Sequence, residues 1–282
     1  MATTHTDYGK FINHYRALDR AGLLASTPII LSEGDSWFST PLYYNLVDWL
    51  EVRAPNAVFM RMEQTGDLAV NMFGGGNLRS ISSRLKAFEF DVLLLSAGGN
   101  DFVDRFLRDT FHNAKAMTPA DALQRVIDTR RYAQVLSAYQ RMLDAAFKAR
   151  PSLRVITHTY DYPRLLGEGA KLSVEKIGLA ALLKRKVGDW IARYVVKALP
   201  TKAEQAEFAK LLMDEFFERV LTPLKAQYGD GLDVIDFRTM LNSDDDWNDE
   251  MHPTGAAFER LALPLRILLR TALAPGKRAG IG

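Results

Sequence analysis

Cysteine is absent from the whole chain, which removes disulfide bonds, thiolate nucleophiles and the usual sulfur cages for zinc in one step. A serine, not a cysteine, is therefore the expected nucleophile. A surplus of charge is missing too: 36 basic against 34 acidic residues leave a formal +2, too little for the electrostatic footprint of a binder of nucleic acid or anionic membrane. No uninterrupted apolar run approaches the ~18 residues of a membrane-spanning helix. The opening Met1-Ala2-Thr3-Thr4-His5-Thr6-Asp7 also lacks the basic and then apolar regions of a secretory signal. The expectation is a soluble, cytoplasmic protein, although a chain already relieved of its signal would read the same way. With 282 residues, 48% of them hydrophobic and 25% charged, a single globular domain spanning 1–282 is expected.

Along the chain, apolar runs alternate with helical spacing. Tyr8 to Leu24 reads as a lead-in helix. Pro28-Ile29-Ile30-Leu31 reads as a buried strand that hands over at Glu33-Gly34-Asp35-Ser36 to a helix over Leu42 to Leu50. Further strands are predicted at 57–62, at 90–96, at 153–159 and at 232–236. Gly74-Gly75-Gly76 resembles a phosphate cradle, but no Gly-Lys-Ser/Thr follows, so a flexible loop is expected there. Residues 102–150 read as a helical arm followed by one long amphipathic helix from Pro119 through Phe147. A second helical insertion spans 162–228, with Pro200 dividing it. Its pattern fits extra core and a cap over the site equally, and an exposed apolar face on it would make either a homo-oligomer contact or a lipid-facing surface.

Five strands alternating with helices predict a three-layer α/β/α fold around a mainly parallel five-stranded sheet. Chemistry in such sheets gathers outside the carboxyl ends of the strands. Gly34-Asp35-Ser36, Thr65-Gly66-Asp67, Gly98-Gly99-Asn100-Asp101 and the loop 242–253 all fall there. Ser36, at a strand-to-helix turn with free backbone N–H groups, is placed to attack a carbonyl if a base can reach it. His252 supplies that base, and a carboxylate three residues earlier, Asp249, can accept its Nδ1 proton, with Asp246 and Glu250 as alternatives. His158, followed by Asp161, is the competing base.

These four blocks, in this order, resemble the SGNH or GDSL hydrolases, with Trp37 standing where the family name has leucine. The resemblance covers roughly residues 28 to 260 and implies a flavodoxin-like three-layer fold. It also implies a serine esterase without metal or cofactor, acting on a small-molecule, lipid or sugar ester through an acyl-enzyme. It implies Ser36 as nucleophile, His252 as base and Asp249 as its orienting acid. The Ser36 N–H, the Gly66 N–H and the Asn100 side-chain amide are implied as donors to the oxyanion. Transfer of the acyl group to an alcohol, removal of acetyl groups from polysaccharide, or binding without catalysis remain open on the same residues. Trp37, Phe38 and Phe102 lie near the rim in sequence and are candidates for a substrate pocket.

Overall fold

The computed structural model describes residues 2–170 and 188–282. Leu172, Ile177, Leu179, Leu182 and Leu183 of the second insertion lie outside the described residues. The strands are β1 Thr3–His5, β2 Ile29–Gly34, β3 Val58–Arg61, β4 Val92–Ser96, β5 Arg154–His158 and β6 Leu232–Ile235. They pair in the order β1-β3-β2-β4-β5-β6, and every pairing is parallel. The sheet thus has six strands where five were expected. The extra one, β1, is three residues of Thr-Thr-His with no apolar run to announce it, paired to the outer side of β3.

The helices are α1 Tyr8–Arg20, α2 Ser36–Ser39, α3 Leu46–Arg53, α4 Ala69–Met72, α5 Gly75–Ala87, α6 Arg105–Phe111, α7 Pro119–Asp128, α8 Arg131–Ala149, α9 Ala192–Val195, α10 Lys202–Phe216, α11 Thr222–Tyr228 and α12 Gly255–Ala272. Helix α3 packs on α12 in one layer, while α4, α5 and α8 pack together in the other. Strands β2 and β4, sandwiched between the layers, bury every residue, as continuous apolar runs covered on both faces must.

Several elements depart from expectation. The Gly74-Gly75-Gly76 run is not a loop: Gly74 caps α5, and Gly75 and Gly76 are its first residues. The long helix predicted from Pro119 to Phe147 is two helices, broken at Thr129 and at Arg130, whose φ of +61° ends the ladder without glycine or proline. Helix α2 is a single turn that stops at extended Thr40, ahead of Pro41, and the longer helix begins only at Leu46. In the second insertion, α10 packs against α7, and a π-helical turn over Phe217–Leu221 packs against α8. Residues 202–228 are therefore part of the layered body.

Helical caps explain where these elements begin. Thr201 and Glu204 form a reciprocal capping box at α10, Asn45 and Asp48 do the same at α3, and Thr254 accepts from Ala257 N at α12. One buried polar residue in β2 stands out. Glu33 accepts from Gly34 N and Asn77 Nδ2, both at 3.0 Å. It lies near Glu63, which Arg61 and Ser32 hold. Burial lifts the Glu33 pKa to about 8, the Asn77 hydrogen bond opposing and the Glu63 charge adding.

The folded chain therefore keeps a proton that the unfolded chain releases near 4.5, and stability falls as pH rises from there to about 8. Glu33→Gln removes that titration. Its melting temperature relative to the parent should climb across the window, as thermal melts at the two ends would read. A difference that stays constant with pH contradicts the assignment.

Candidate active site

The strand order places β2 between β3 and β4, so the chain leaves β2 to one side and returns to the other. The carboxyl ends of these three strands surround the crevice where such sheets bind ligands. Ser36 follows β2 directly. Gly66 lies in the loop after β3, with φ of +86°, a left-handed conformation that favours glycine. Asn100 lies on a 3-10 turn, Gly99–Phe102, after β4.

Ser36 Oγ stands 2.8 Å from His252 Nε2, and His252 Nδ1 stands 2.9 Å from both oxygens of Asp249. The three side chains form one hydrogen-bonded chain, with Asp249 receiving the Nδ1 proton. The loop shape follows from the same carboxylate: Met251 N and His252 N donate to its Oδ1 at 2.8 and 2.9 Å, curling the backbone so that the imidazole returns over its own acid. Asp246 is engaged elsewhere, capping a turn and pairing with Arg260. Glu250 turns away to accept from the backbone of the insertion.

Burial works against both charged partners. For Asp249, burial pushes the pKa up, but the His252 charge and hydrogen bond, with further bonds from Met251 and Trp190, pull it down to about 2. For His252, burial pulls the pKa down, and the Asp249 charge and hydrogen bond, helped by the Asp35 charge, leave it above its ordinary value. Asp35 itself is fully enclosed. Its carboxylate accepts from Trp37 N at 3.0 Å, from Ser96 Oγ at 2.9 Å and from the Tyr160 hydroxyl.

His158 is not placed for this chemistry. Its Nδ1 lies 2.7 Å from Thr159 O, its ring packs among Trp37, Tyr160 and Phe237, and burial lowers its pKa to about 4. Asp161 turns instead to the backbone N–H groups of Tyr162, Thr239 and Leu241.

Ser36, Gly66, Asn100 and His252 line one cleft of about 830 Å³ together with Leu68, Val103, Phe106, Arg131 and Trp190. The Asn100 side-chain amide donates to Asp67 O at 3.0 Å. A primary amide has two N–H groups, and this bond occupies one of them. Trp37, Phe38 and Phe102, expected at a substrate pocket, all point into the core, and none lines this cleft. Trp37 donates Nε1–H to Met251 O at 3.0 Å, Phe38 packs on His158, and Phe102 stacks on Tyr132 with centroids 4.3 Å apart. These residues follow the strand ends by three to six positions, on the turns that cover the sheet, and fall beneath those turns. Phe106, four residues beyond Phe102 and in α6, lines the cleft. Trp190 was missed: its signal was the Gly188-Asp189 break in the helical pattern of the insertion.

Among the described residues, no group of three or more His, Asp or Glu side chains is arranged to hold a metal ion, and no helix is long and apolar enough to cross a membrane. No protein-family profile matches the chain, and no curated protein matches it.

The architecture is that of the SGNH hydrolases, a parallel sheet with helices on both faces. Among solved structures it is similar to an extracellular lipase from Streptomyces rimosus, with a TM-score of 0.54 and 16% identity over 87% of this chain and 100% of that one. It is also similar to the lipase Lip_vut3 from a goat rumen metagenome, with a TM-score of 0.51 and 13% identity over 85% of this chain and 96% of the other. At these identities the likeness is one of fold.

The Asn100 loop rests on two glycines. Gly98 has φ of +111°, and a Cβ there would stand 2.6 Å from Phe216 Cε2; at Gly99 it would stand 2.9 Å from Tyr160 Cζ. Gly98→Ala should cost about 1–3 kcal/mol from overpacking, with the left-handed strain added. It should also lower turnover by displacing Asn100. Chemical denaturation and ester hydrolysis, measured on the same preparation, check both halves. An alanine variant as stable as the parent would show that Phe216 yields.

Proposed function

We propose that the chain is a serine esterase that cleaves small to medium carboxylic esters through an acyl-enzyme. The observation that carries this reading is the 2.8 Å contact between Ser36 Oγ and His252 Nε2, continued through Nδ1 to buried Asp249. In this reading His252 takes the Ser36 proton as Oγ attacks the ester carbonyl. The tetrahedral oxyanion is received by the N–H groups of Ser36 and Gly66 and by the Asn100 amide. Collapse breaks the ester C–O bond, and the imidazolium returns its proton to the departing alkoxide, which leaves as the alcohol. Water then repeats the sequence on the acyl-serine, releasing the carboxylic acid and restoring the hydroxyl.

Asp249 holds the tautomer with Nε2 free and stabilises the imidazolium without taking its proton, consistent with its low pKa. The cleft supports the substrate class. Leu68, Val103 and Phe106 contribute apolar lining, and Asp104, Arg105, Asp109 and Arg131 charged lining. Such mixed walls suit a compact, polar ester better than a long unbranched acyl chain. Water and sugar alcohols can attack the same acyl-enzyme, so transfer and hydrolysis share every residue named here.

Ser36→Ala should abolish hydrolysis of p-nitrophenyl acetate, and a folded alanine variant as fast as the parent sinks the proposal. His252→Ala should cost about 10,000-fold or more in turnover, while His158→Ala should leave catalysis intact and at most lower stability. The pH profile has a fixed sign. His252 must be neutral to accept the proton, and its pKa lies above the ordinary 6.5. The rate kcat/KM should therefore rise with pH through a single limb centred above that value. Absence of such a limb would place the base elsewhere.

A further inference from the structure

Trp190 comes from the insertion, 59 residues before Asp249, yet its indole Nε1–H donates to Asp249 Oδ2 at 3.2 Å. Gly188 N approaches the same oxygen at 3.4 Å. The Trp190 ring meets His252 edge-on, with centroids 5.5 Å apart and planes at 72°. At its backbone Trp190 faces the other wall of the cleft: its carbonyl accepts from Asp104 N at 2.8 Å, four residues beyond Asn100. Tyr194, four residues on and in α9, donates its hydroxyl to the Asp104 carboxylate. Asp104 is held at φ of +49°, a backbone region that a non-glycine residue adopts only when its surroundings impose it. Behind this segment Glu250 accepts from Gly167 N at 2.8 Å, from Ala192 N at 3.3 Å and from Ile191 N.

We propose that residues 188–194 form a strap joining the two halves of the active site, and that Trp190 is the positioning residue that fixes the Asp249 carboxylate beneath His252. The inference rests on the esterase reading and extends it to a residue outside the four sequence blocks. Oδ1 of Asp249 is held by Met251 N, His252 N and His252 Nδ1. Oδ2, beside Nδ1, is held from the strap. Without the indole donor Oδ2 keeps only Gly188 N and the imidazole, so the carboxylate can tilt about its Cβ–Cγ bond and carry the imidazole resting on it. A misplacement of about 1 Å at the reacting nitrogen is enough to cost on the order of 100-fold in rate. The indole N–H also draws charge from Oδ2, which limits how strongly Asp249 stabilises the imidazolium. The other carboxylate that acts on His252 is Asp35, from beneath the Ser36 turn. Asp104 and Glu250 carry the charges at the two anchored ends of the strap.

Trp190→Phe keeps a ring and removes the donor. With p-nitrophenyl acetate, its acid limb in kcat/KM should move to higher pH by several tenths of a unit, because Asp249 then acts on the imidazolium undivided. Plateau kcat should fall about 10-fold, and KM should change by less than about twofold. A merely structural loss would lower the amount of active enzyme and leave the limb in place. A Trp190→Phe limb and plateau equal to the parent's, alongside an inactive Ser36→Ala, overturn the strap alone. A fully active Ser36→Ala overturns the esterase reading beneath it.

A second measurement needs no substitution. In the parent labelled with ¹⁵N-indole tryptophan, the Trp190 resonance among the four tryptophans, assigned by its contacts to His252 protons, should titrate with the midpoint of the acid limb. A Trp190 resonance that does not move with pH through that midpoint overturns the proposal.

Discussion

Asp35 is the group on which the arrangement turns. It is a buried carboxylate one residue before Ser36, and burial alone would make its charge costly. Three donors offset that cost, each from a different part of the fold: Trp37 N from the turn itself, Ser96 Oγ from the end of β4 and the Tyr160 hydroxyl from beyond β5. Its own N–H donates to Ser96 O. Satisfying Asp35 therefore brings the ends of three strands to fixed positions around Ser36. The charge has a second effect, since it lies close enough to His252 to favour the protonated imidazole. One carboxylate thus shapes the turn and biases the base.

The acid–base pair is built by a similar device at the opposite wall. Asp249 accepts the N–H groups of the two residues at the tip of its own loop as well as the imidazole, so forming the loop and orienting the ring are a single event. A carboxylate three residues before the histidine is the spacing at which this closure occurs, which is why the residue types alone pointed to Asp249 over its acidic neighbours. Trp247 and Pro253 pair across the base of the same loop in an isolated bridge.

What was legible in the sequence follows from the range of the interactions involved. The apolar runs of β2 and β4 are signals carried by consecutive residues. The loops after them inherit their place from the sheet, and so Ser36, Gly66, Asn100 and His252 could be assigned to one rim. Other features depend on partners far along the chain. β1 is a strand only because β3 offers an open edge. Phe38 and Phe102 turn inward because His158 and Tyr132 wait for them, and an aromatic residue beside a rim looks the same whichever way it faces. Arg130 breaks a helix with no glycine or proline to mark it. Trp190 was the least legible, because its meaning lies in a contact with a carboxylate on another loop.

The three backbone N–H groups gathered by Glu250 bear on how the protein breathes. Burial raises the Glu250 pKa, and the bonds from Gly167, Ile191 and Ala192 pull against that rise. Lifting the segment away would take from Glu250 the Ile191 and Ala192 donors and from Asp249 those of Gly188 and Trp190, a penalty of about 1–3 kcal/mol for each buried group left unmet. Local opening of this edge thus becomes expensive relative to ordinary surface loops, and its amides should exchange with solvent on the slow timescale of the central strands. A crevice bordered in this way keeps its 188–194 edge in place while ordinary surface loops fluctuate.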